Sequence, residues 1–401
     1  MNPELDRLHP YPFEKLGALL EGTQPPDQSH IALSIGEPRH AAPAFVLEAL
    51  YDALPRTAQY PATRGMAELR QAIATWARRR FAMADNVLDP ETEILPVNGT
   101  REGLFAFAQA ALAPASNPLV LAPNPFYQIY EGAALLAGAS PRFINAGENG
   151  NGLPEFGRIP ESVWEDCQLL YVCSPGNPNG AVMKQSDYEA LIHRADRHDF
   201  VIAADECYSE LYSDENNPPT GLLEACHAMG RHDFSRCIVF HSLSKRSNLP
   251  GLRSGFVAGD ASRLAGFLRY RTYHGCAMPI HHQLASIAAW NDEAHVVANR
   301  AAYRDKFDAV LPILEPWLSV ERPEAGFYLW PETPMDDETF TRALFDQENV
   351  TVLPGSYLSR TSDGINPGRN RVRMALVASR EDCVEAASRI ARFMERQSTG
   401  V

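Results

Sequence analysis

Four short apolar runs in this 401-residue chain each end in a segment whose side chains are equipped for chemistry. Cys237-Ile238-Val239-Phe240 leads into His241-Ser242-Leu243-Ser244-Lys245, with Gly251, Arg253 and Gly255 following in a Gly-x-Arg-x-Gly frame. A lysine set among hydroxyls behind a buried strand suits an amine that forms a Schiff base with an aldehyde and, once freed, carries a proton. Ser242, Ser244 and Arg253 are candidate phosphate ligands, and arginine grips phosphate oxygens bidentately where lysine does not. Phe200-Val201-Ile202-Ala203-Ala204 is followed by Asp205-Glu206-Cys207-Tyr208, and a carboxylate that faces a cation stays ionised through neutral pH. Gln168 to Cys173 precedes Ser174-Pro175-Gly176-Asn177-Pro178-Asn179-Gly180, where Asn177-Pro178 is a candidate cis peptide or an ordinary turn. After Glu93 to Val97 comes Asn98-Gly99-Thr100-Arg101-Glu102, opening a helix whose free N–H groups and dipole favour an anion.

Each of these residues also has an ordinary structural use. A lysine taken alone is most often a solvated surface group, and Asp205 could cap its own turn. Tyr208 and Tyr127 could be core aromatics like Phe126 and Tyr130 beside them, and many strand-to-helix turns bind nothing. Their convergence is the argument, because ligands of open parallel sheets bind beyond the carboxyl ends of the strands.

The elements that must hold these groups read as an alternation. Apolar runs at 93–97, 118–122, 168–173, 200–204 and 237–240 read as buried strands. Helical stretches at 101–113, 127–138 and 185–198 lie between, and Leu69, Ile73, Trp76 and Ala77 mark an earlier helix face. Such succession implies crossover units and a mostly parallel sheet covered on both faces. After about residue 290 the pattern changes to a long polar helix (295–314), Phe327-Tyr328-Leu329-Trp330, another helix, the run 371–377, and an amphipathic helix at 380–396. The expected division is an N-terminal arm that joins the small domain (1–44), a large domain (45–290) and a small α+β domain (291–401). Arg373 lies on an apolar run of that small domain and needs an anionic partner. Arg371 shares its face in a regular strand.

Composition narrows the function. With 36 Lys plus Arg against 50 Asp plus Glu, the net charge of −14 argues against a nucleic-acid or anionic-membrane partner. No apolar run approaches the ~18 residues of a transmembrane helix. The start, MNPELDRLHPYPFEKL, shows no basic region leading into an apolar one, so no secretory signal is visible. Seven cysteines without a Cys-x-x-Cys pair offer no zinc or redox motif, and the expectation is a cytoplasmic protein with reduced thiols.

Taken together, these residues resemble the fold-type I, class I and II aminotransferases that use pyridoxal 5′-phosphate. The resemblance spans essentially the whole chain in order and spacing. It implies an α/β fold, with a large domain whose mostly parallel sheet is sandwiched by helices, a smaller α+β domain, and a homodimer with shared active sites. Lys245 would hold the cofactor and move a proton, Asp205 would pair with its pyridine nitrogen, and Tyr208 and Asn177 would bond its phenolic oxygen. Gly99, Thr100, Arg101, Ser242, Ser244 and Arg253 would hold the phosphate, joined by Tyr60, in Gln59-Tyr60-Pro61-Ala62-Thr63-Arg64-Gly65, from the neighbouring subunit. Tyr127 would stack on the ring. Arg373 would bind the substrate α-carboxylate in a site lined by Asn177 and by Gly36 of Ser34-Ile35-Gly36-Glu37-Pro38. One departure stands out: Asn179 occupies the position where the family usually has threonine.

Three longer runs, Leu95 to Glu102, Pro123 to Gly132 and Tyr270 to Met278, are similar to a lysine-biosynthetic branch of the family. That branch exchanges an amino group between glutamate and N-succinyl-2-amino-6-oxopimelate. Its amino-acid and keto-acid substrates carry more than one carboxylate, so a cation beyond Arg373 is needed. Arg271, on the expected loop Tyr270-Arg271-Thr272-Tyr273-His274-Gly275, is the candidate, with a surface ion pair as its ordinary alternative. Aspartate, N-acetylornithine or aromatic substrates, and a β-lyase or decarboxylase, share the same cofactor-binding parts. A dehydrogenase needs Gly-x-Gly-x-x-Gly after an early strand, and a transcription factor needs a basic helix-turn-helix domain; neither is present in the sequence.

Overall fold

Leu169-Leu170-Tyr171-Val172 is apolar at every position, and the period of two along a strand sends these side chains to opposite faces. In the computed structural model, which describes residues 1–113, 118–147 and 152–399, the consequence is two cores on one sheet. Leu170, Val172, Ile202, Ala204 and Val239 pack on one face with Trp76, Leu191 and Trp290. Leu169, Tyr171, Val201, Ala203, Ile238 and Phe240 pack on the other with Leu104, Phe107 and Phe267. Helices Gln185–His198 and Thr100–Ala111 cover these opposite faces.

The sheet has seven strands in the order Ile94–Val97, Gly255–Gly259, Cys237–Ser242, Val201–Asp205, Cys167–Cys173, Leu119–Asn124 and Ser140–Asn145. Gly255–Gly259 is antiparallel to both neighbours, and the other pairings are parallel. Six strands therefore point their carboxyl ends the same way, and the segments after Val97, Asn124, Cys173, Asp205 and Ser242 meet along one edge.

A third core gathers the N-terminal segment with the C-terminal part of the chain. Ile31–Ala32 pairs in parallel with Val350–Thr351, and Ile31 and Leu33 pack with Phe340, Leu344, Ile390 and Phe393. Val372–Ala375 runs antiparallel between Leu353–Pro354 and Tyr328–Leu329. Val372 and Met374 enter this core, so Arg373 between them faces the other way, toward the large sheet. Arg371, just before that strand, pairs instead with Glu332 at the surface. No helix among the described residues is long and apolar enough to cross a membrane.

Candidate active site

A cavity of about 540 Å³ opens at the carboxyl edge of the large sheet, between it and the unit built around the third core. Its wall contains Lys245, Asp205, Tyr208, Asn177 and Arg373, together with Thr100, Arg101, Tyr127, Ser242, Ser244, Arg253 and Gly36. Tyr60 and Arg271 lie outside it, and Gly99 stands immediately behind Thr100 and Arg253 in its wall.

Lys245 is carried by the short helix Leu243–Arg246. Ser242 caps that helix, its Oγ accepting the Ser244 N–H at 3.1 Å. Asn299, on Ala294–Leu314, donates to the Lys245 carbonyl at 3.1 Å and holds the backbone in place. The amine donates to the Gly36 carbonyl and lies 5.3 Å from the centre of the Phe327 ring. Burial draws its pKa down to about 8, which brings the neutral, nucleophilic amine within reach of physiological pH.

Asp205, at the end of its strand, accepts the Tyr130 hydroxyl at 2.7 Å and the Cys207 N–H at 3.3 Å. Burial pushes its carboxyl up, against the pull of those hydrogen bonds. Among the described residues no Lys, Arg or His forms an ion pair with it. A buried carboxylate without a charged partner suits a cation brought in with a ligand.

The anion cradle lies on the other side. Gly99 has φ +81° at the N-terminus of Thr100–Ala111, and a Cβ there would strike the Arg253 guanidinium. That close approach leaves helix N–H groups and a guanidinium facing one point. Ser242 Oγ donates to Ser244 Oγ at 2.9 Å beside it. The Arg101 side chain departs from the cradle toward the mouth, where it donates to the hydroxyls of Tyr127 at 2.6 Å and Tyr11 at 3.3 Å.

Arg373 closes the opposite end, donating to Asn177 Oδ1 at 3.0 Å and to the Ser34 carbonyl at 2.8 Å. Its Nε is buried without a partner, and its guanidinium stands 4.6 Å from the Tyr328 ring centre. Tyr328 also shares a 2.9 Å hydrogen bond with the Tyr208 hydroxyl, and it fills the space a Cβ on Gly36 would need. Asn177-Pro178 is cis, as are Ser174-Pro175 and Asn124-Pro125. Asn179 replaces local threonine chemistry with two bonds of its own, donating to the Gly152 carbonyl at 2.6 Å and accepting the Ala181 N–H at 3.2 Å.

Arg271 corrects the sequence-based expectation. The segment is not a loop at that point: the helix Ala261–His274 runs through it and ends at Gly275 with φ +80°. Arg271 shares a face with Leu264 and Phe267, is fully buried, and pairs with Glu102. A guanidinium so enclosed does not reach a substrate at the mouth. Tyr60 is 102% exposed and lines a separate surface hollow with Thr63 and His281. Tyr328, Tyr130 and Tyr11 are the site residues that sequence reasoning did not single out. Tyr328 had one available signal, an aromatic hydroxyl inside an apolar strand.

The residues fit pyridoxal phosphate on the structure's own terms. A buried amine, a buried carboxylate without an ion-pair partner, a helix N-terminus with the Arg253 guanidinium drawn close over Gly99, and an arginine with a spare buried N–H come together at one cavity. Comparison with known proteins agrees. Residues 28–390 match the model of the family described as aminotransferase class I and II. The LL-diaminopimelate aminotransferase of Nitratidesulfovibrio vulgaris (strain DSM 19637 / Miyazaki F) is 34% identical over 370 residues, 90% of this chain and 91% of that protein. Among solved structures, an aminotransferase from Neisseria meningitidis Z2491 is 46% identical with a TM-score of 0.94, covering 98% of this chain and 100% of that one. A probable N-succinyldiaminopimelate aminotransferase from Thermus thermophilus is 27% identical with a TM-score of 0.83, over 95% of this chain and 100% of that one.

Proposed function

The chain belongs to the class I and II aminotransferases, and from that premise we propose that it transfers an amino group between glutamate and an acid of the diaminopimelate type. The observation that carries the substrate class is Arg101. Its guanidinium stands at the cavity mouth, braced by two tyrosine hydroxyls, and forms no ion pair among the described residues. A cation so placed suits a carboxylate remote from the reacting carbon, the feature glutamate shares with its longer partner.

Pyridoxal phosphate, the cofactor of the family, supplies when bound an aldehyde for amines and a protonated ring that withdraws electrons from the substrate α-carbon. The residues of this chain do the rest. Lys245 accepts and returns a proton at that carbon, helped by a pKa that burial lowers to about 8. Asp205 would pair with the ring nitrogen and favour its protonated form. Arg373, fixed by Asn177 and Ser34, binds and orients the α-carboxylate in both directions of the reaction. Tyr208 and Asn177 would bond the cofactor's phenolic oxygen, Tyr127 would pack on its ring, and Gly99, Thr100, Ser242, Ser244 and Arg253 would hold its phosphate.

The finer assignment is N-succinyl-LL-2,6-diaminopimelate with 2-oxoglutarate. Succinylation turns a distal ammonium into a neutral amide and adds a carboxylate, which favours a mouth dominated by Arg101. A second reading, unsuccinylated LL-diaminopimelate, draws on the Nitratidesulfovibrio relative and on Glu37, an acid in the cavity wall that suits a distal ammonium. The kcat/KM values for both compounds, glutamate, aspartate, N-acetylornithine and phenylalanine decide between them. The succinylated substrate and glutamate should lead, and Arg101→Gln should cost them roughly one to two decades, as loss of a charge-assisted bond of about 1.5–3 kcal/mol requires. Glu37→Gln should leave the succinylated substrate no worse. A tenfold advantage for aspartate or phenylalanine would overturn the substrate class, and a loss on LL-diaminopimelate with Glu37→Gln would favour the second reading.

The dimer belongs to the same proposal. Leu47, Tyr51, Leu54, Tyr60 and Tyr273 are large side chains left exposed, and Tyr60 lies outside its own cavity. A two-fold partner would cover them and receive Tyr60 at its phosphate. Mixing inactive Tyr60→Ala and Lys245→Ala chains should then restore activity, because each hybrid holds one wild-type site. Random pairing of equal amounts would give about a quarter of the wild-type sites. No recovery on mixing, with hybrids shown to form, would assign Tyr60 to its own subunit.

A further inference from the structure

Arg271 is enclosed, its Nε without a partner but both of its terminal nitrogens engaged. It donates to Glu102 and, at 2.8 Å, to the Cys276 carbonyl. The same two acceptors hold Asn98: Glu102 Oε2 takes the Asn98 N–H at 3.1 Å, and the Cys276 carbonyl takes Asn98 Nδ2 at 2.8 Å. Asn98 in turn offers its carbonyl to Arg253 at 3.3 Å, and Gly99, the next residue, closes against that guanidinium. A continuous set of bonds thus runs from a buried arginine on Ala261–His274 to the residues that face the phosphate.

Charge gives this arrangement a second consequence. Glu102 lies in the first turn of Thr100–Ala111, the helix end that must attract an anion. An unpaired carboxylate there would oppose a phosphate, and Arg271 cancels it at close range without itself entering the cavity. Glu102, His274 and Cys276 bring potential metal-ligand atoms within 4.8 Å of one another, but both oxygens of Glu102 are already taken.

We infer that Arg271 is a positioning residue for the cofactor phosphate, holding Asn98 and neutralising Glu102 so that Gly99, Thr100 and Arg253 present an anion site of fixed shape and positive potential. This rests on the reading of those three residues as the phosphate cradle.

The test compares two ligands that differ only in the phosphate. The full chain, freed of cofactor, is titrated with pyridoxal 5′-phosphate and with pyridoxal, following tryptophan fluorescence. Arg271→Met should weaken the phosphorylated ligand tenfold or more and pyridoxal less than twofold. Asn98→Ala, which leaves the buried ion pair intact, should weaken the phosphorylated ligand at least threefold and spare pyridoxal. Equal losses for both ligands, or no loss for either, overturn the inference. If Arg271→Met does not fold, Asn98→Ala decides by the same criterion. Arg253→Ala separates the two levels. If it loses the preference for phosphate while Arg271→Met and Asn98→Ala retain it, only the positioning role falls; if it too retains the preference, the cradle falls and the inference with it.

Discussion

Lys245→Ala is expected to leave a folded chain whose kcat has dropped by at least ~10³–10⁴, since proton transfer by a positioned base is itself worth ~10²–10⁴ and the covalent anchor is lost as well. Borohydride treatment of the loaded wild-type enzyme followed by peptide mapping should label Lys245. The informative controls are Lys184, which is exposed, and Lys306, whose amine is spent on the carbonyls of Leu376 and Val377 at 3.2 and 3.4 Å. A label on either would remove the site assignment. The same substitution has a stability signature in the cofactor-free chain. The folded pKa of Lys245 lies near 8, below its usual 10.5, so folding disfavours the charged amine. That cost is fully present below pH 8 and fades as pH rises toward 10.5. Lys245→Ala should therefore gain stability relative to wild type near pH 7, with the gain shrinking across pH 8–10.5 in thermal melts. A gain that grows with pH would contradict the buried-ammonium reading.

Asp205→Asn should have the second-largest effect. Removing one member of a buried charge pair costs about 3–5 kcal/mol, or roughly two to four decades in rate if the pair is formed with the ring nitrogen. Asparagine keeps the size and can still accept from Tyr130, so the fold and the 2.7 Å contact to that hydroxyl should survive. A cofactor analogue methylated at the ring nitrogen carries the positive charge permanently. It should restore much of the lost rate in Asp205→Asn while doing little for Arg373→Ala. Unchanged turnover in Asp205→Asn, or no preferential rescue, would show that the carboxylate serves only its own turn.

The legible part of the site was the part written locally. Lys245, Asp205, Asn177 and the Gly99–Arg101 turn each stand at or just beyond the end of a strand with a largely apolar run, so the run announces both the strand and its end. Helix positions followed for the same reason: Gln185–His198 and Thr100–Ala111 alternate apolar and polar faces against a sheet buried on both sides. Contacts between distant segments were not written this way. Tyr328 meets Tyr208 across 120 residues, on a strand of only two residues. Tyr11 comes from the N-terminal arm. Tyr130 reaches Asp205 because Gln128–Leu136 turns that residue inward, while Tyr127, one residue ahead of the helix, stays at the wall.

Arg271 shows how a local signal can be weighed wrongly. The polar Tyr-Arg-Thr-Tyr-His-Gly segment looks like a loop, yet Leu264, Phe267 and Arg271 recur at three- and four-residue spacing and Gly275 supplies the left-handed C-terminal cap. Gly255–Gly259 was obscured by its glycines and by its role in the Gly-x-Arg-x-Gly frame. Ser140–Asn145, half-exposed at the sheet edge, carries too little apolar pattern to stand out. The Arg371 and Arg373 ambiguity was resolved by where the strand begins: Val372 starts it, and Arg371 turns out to Glu332.

Amino transfer itself is read most directly by following the visible absorbance of the loaded enzyme through a single half-reaction. Glutamate alone should shift the band and release stoichiometric 2-oxoglutarate with no free ammonia, and added 2-oxoglutarate should then restore the original spectrum. Release of ammonia or carbon dioxide, or a band that 2-oxoglutarate does not bring back, would mean elimination or decarboxylation at this site and would contradict transamination.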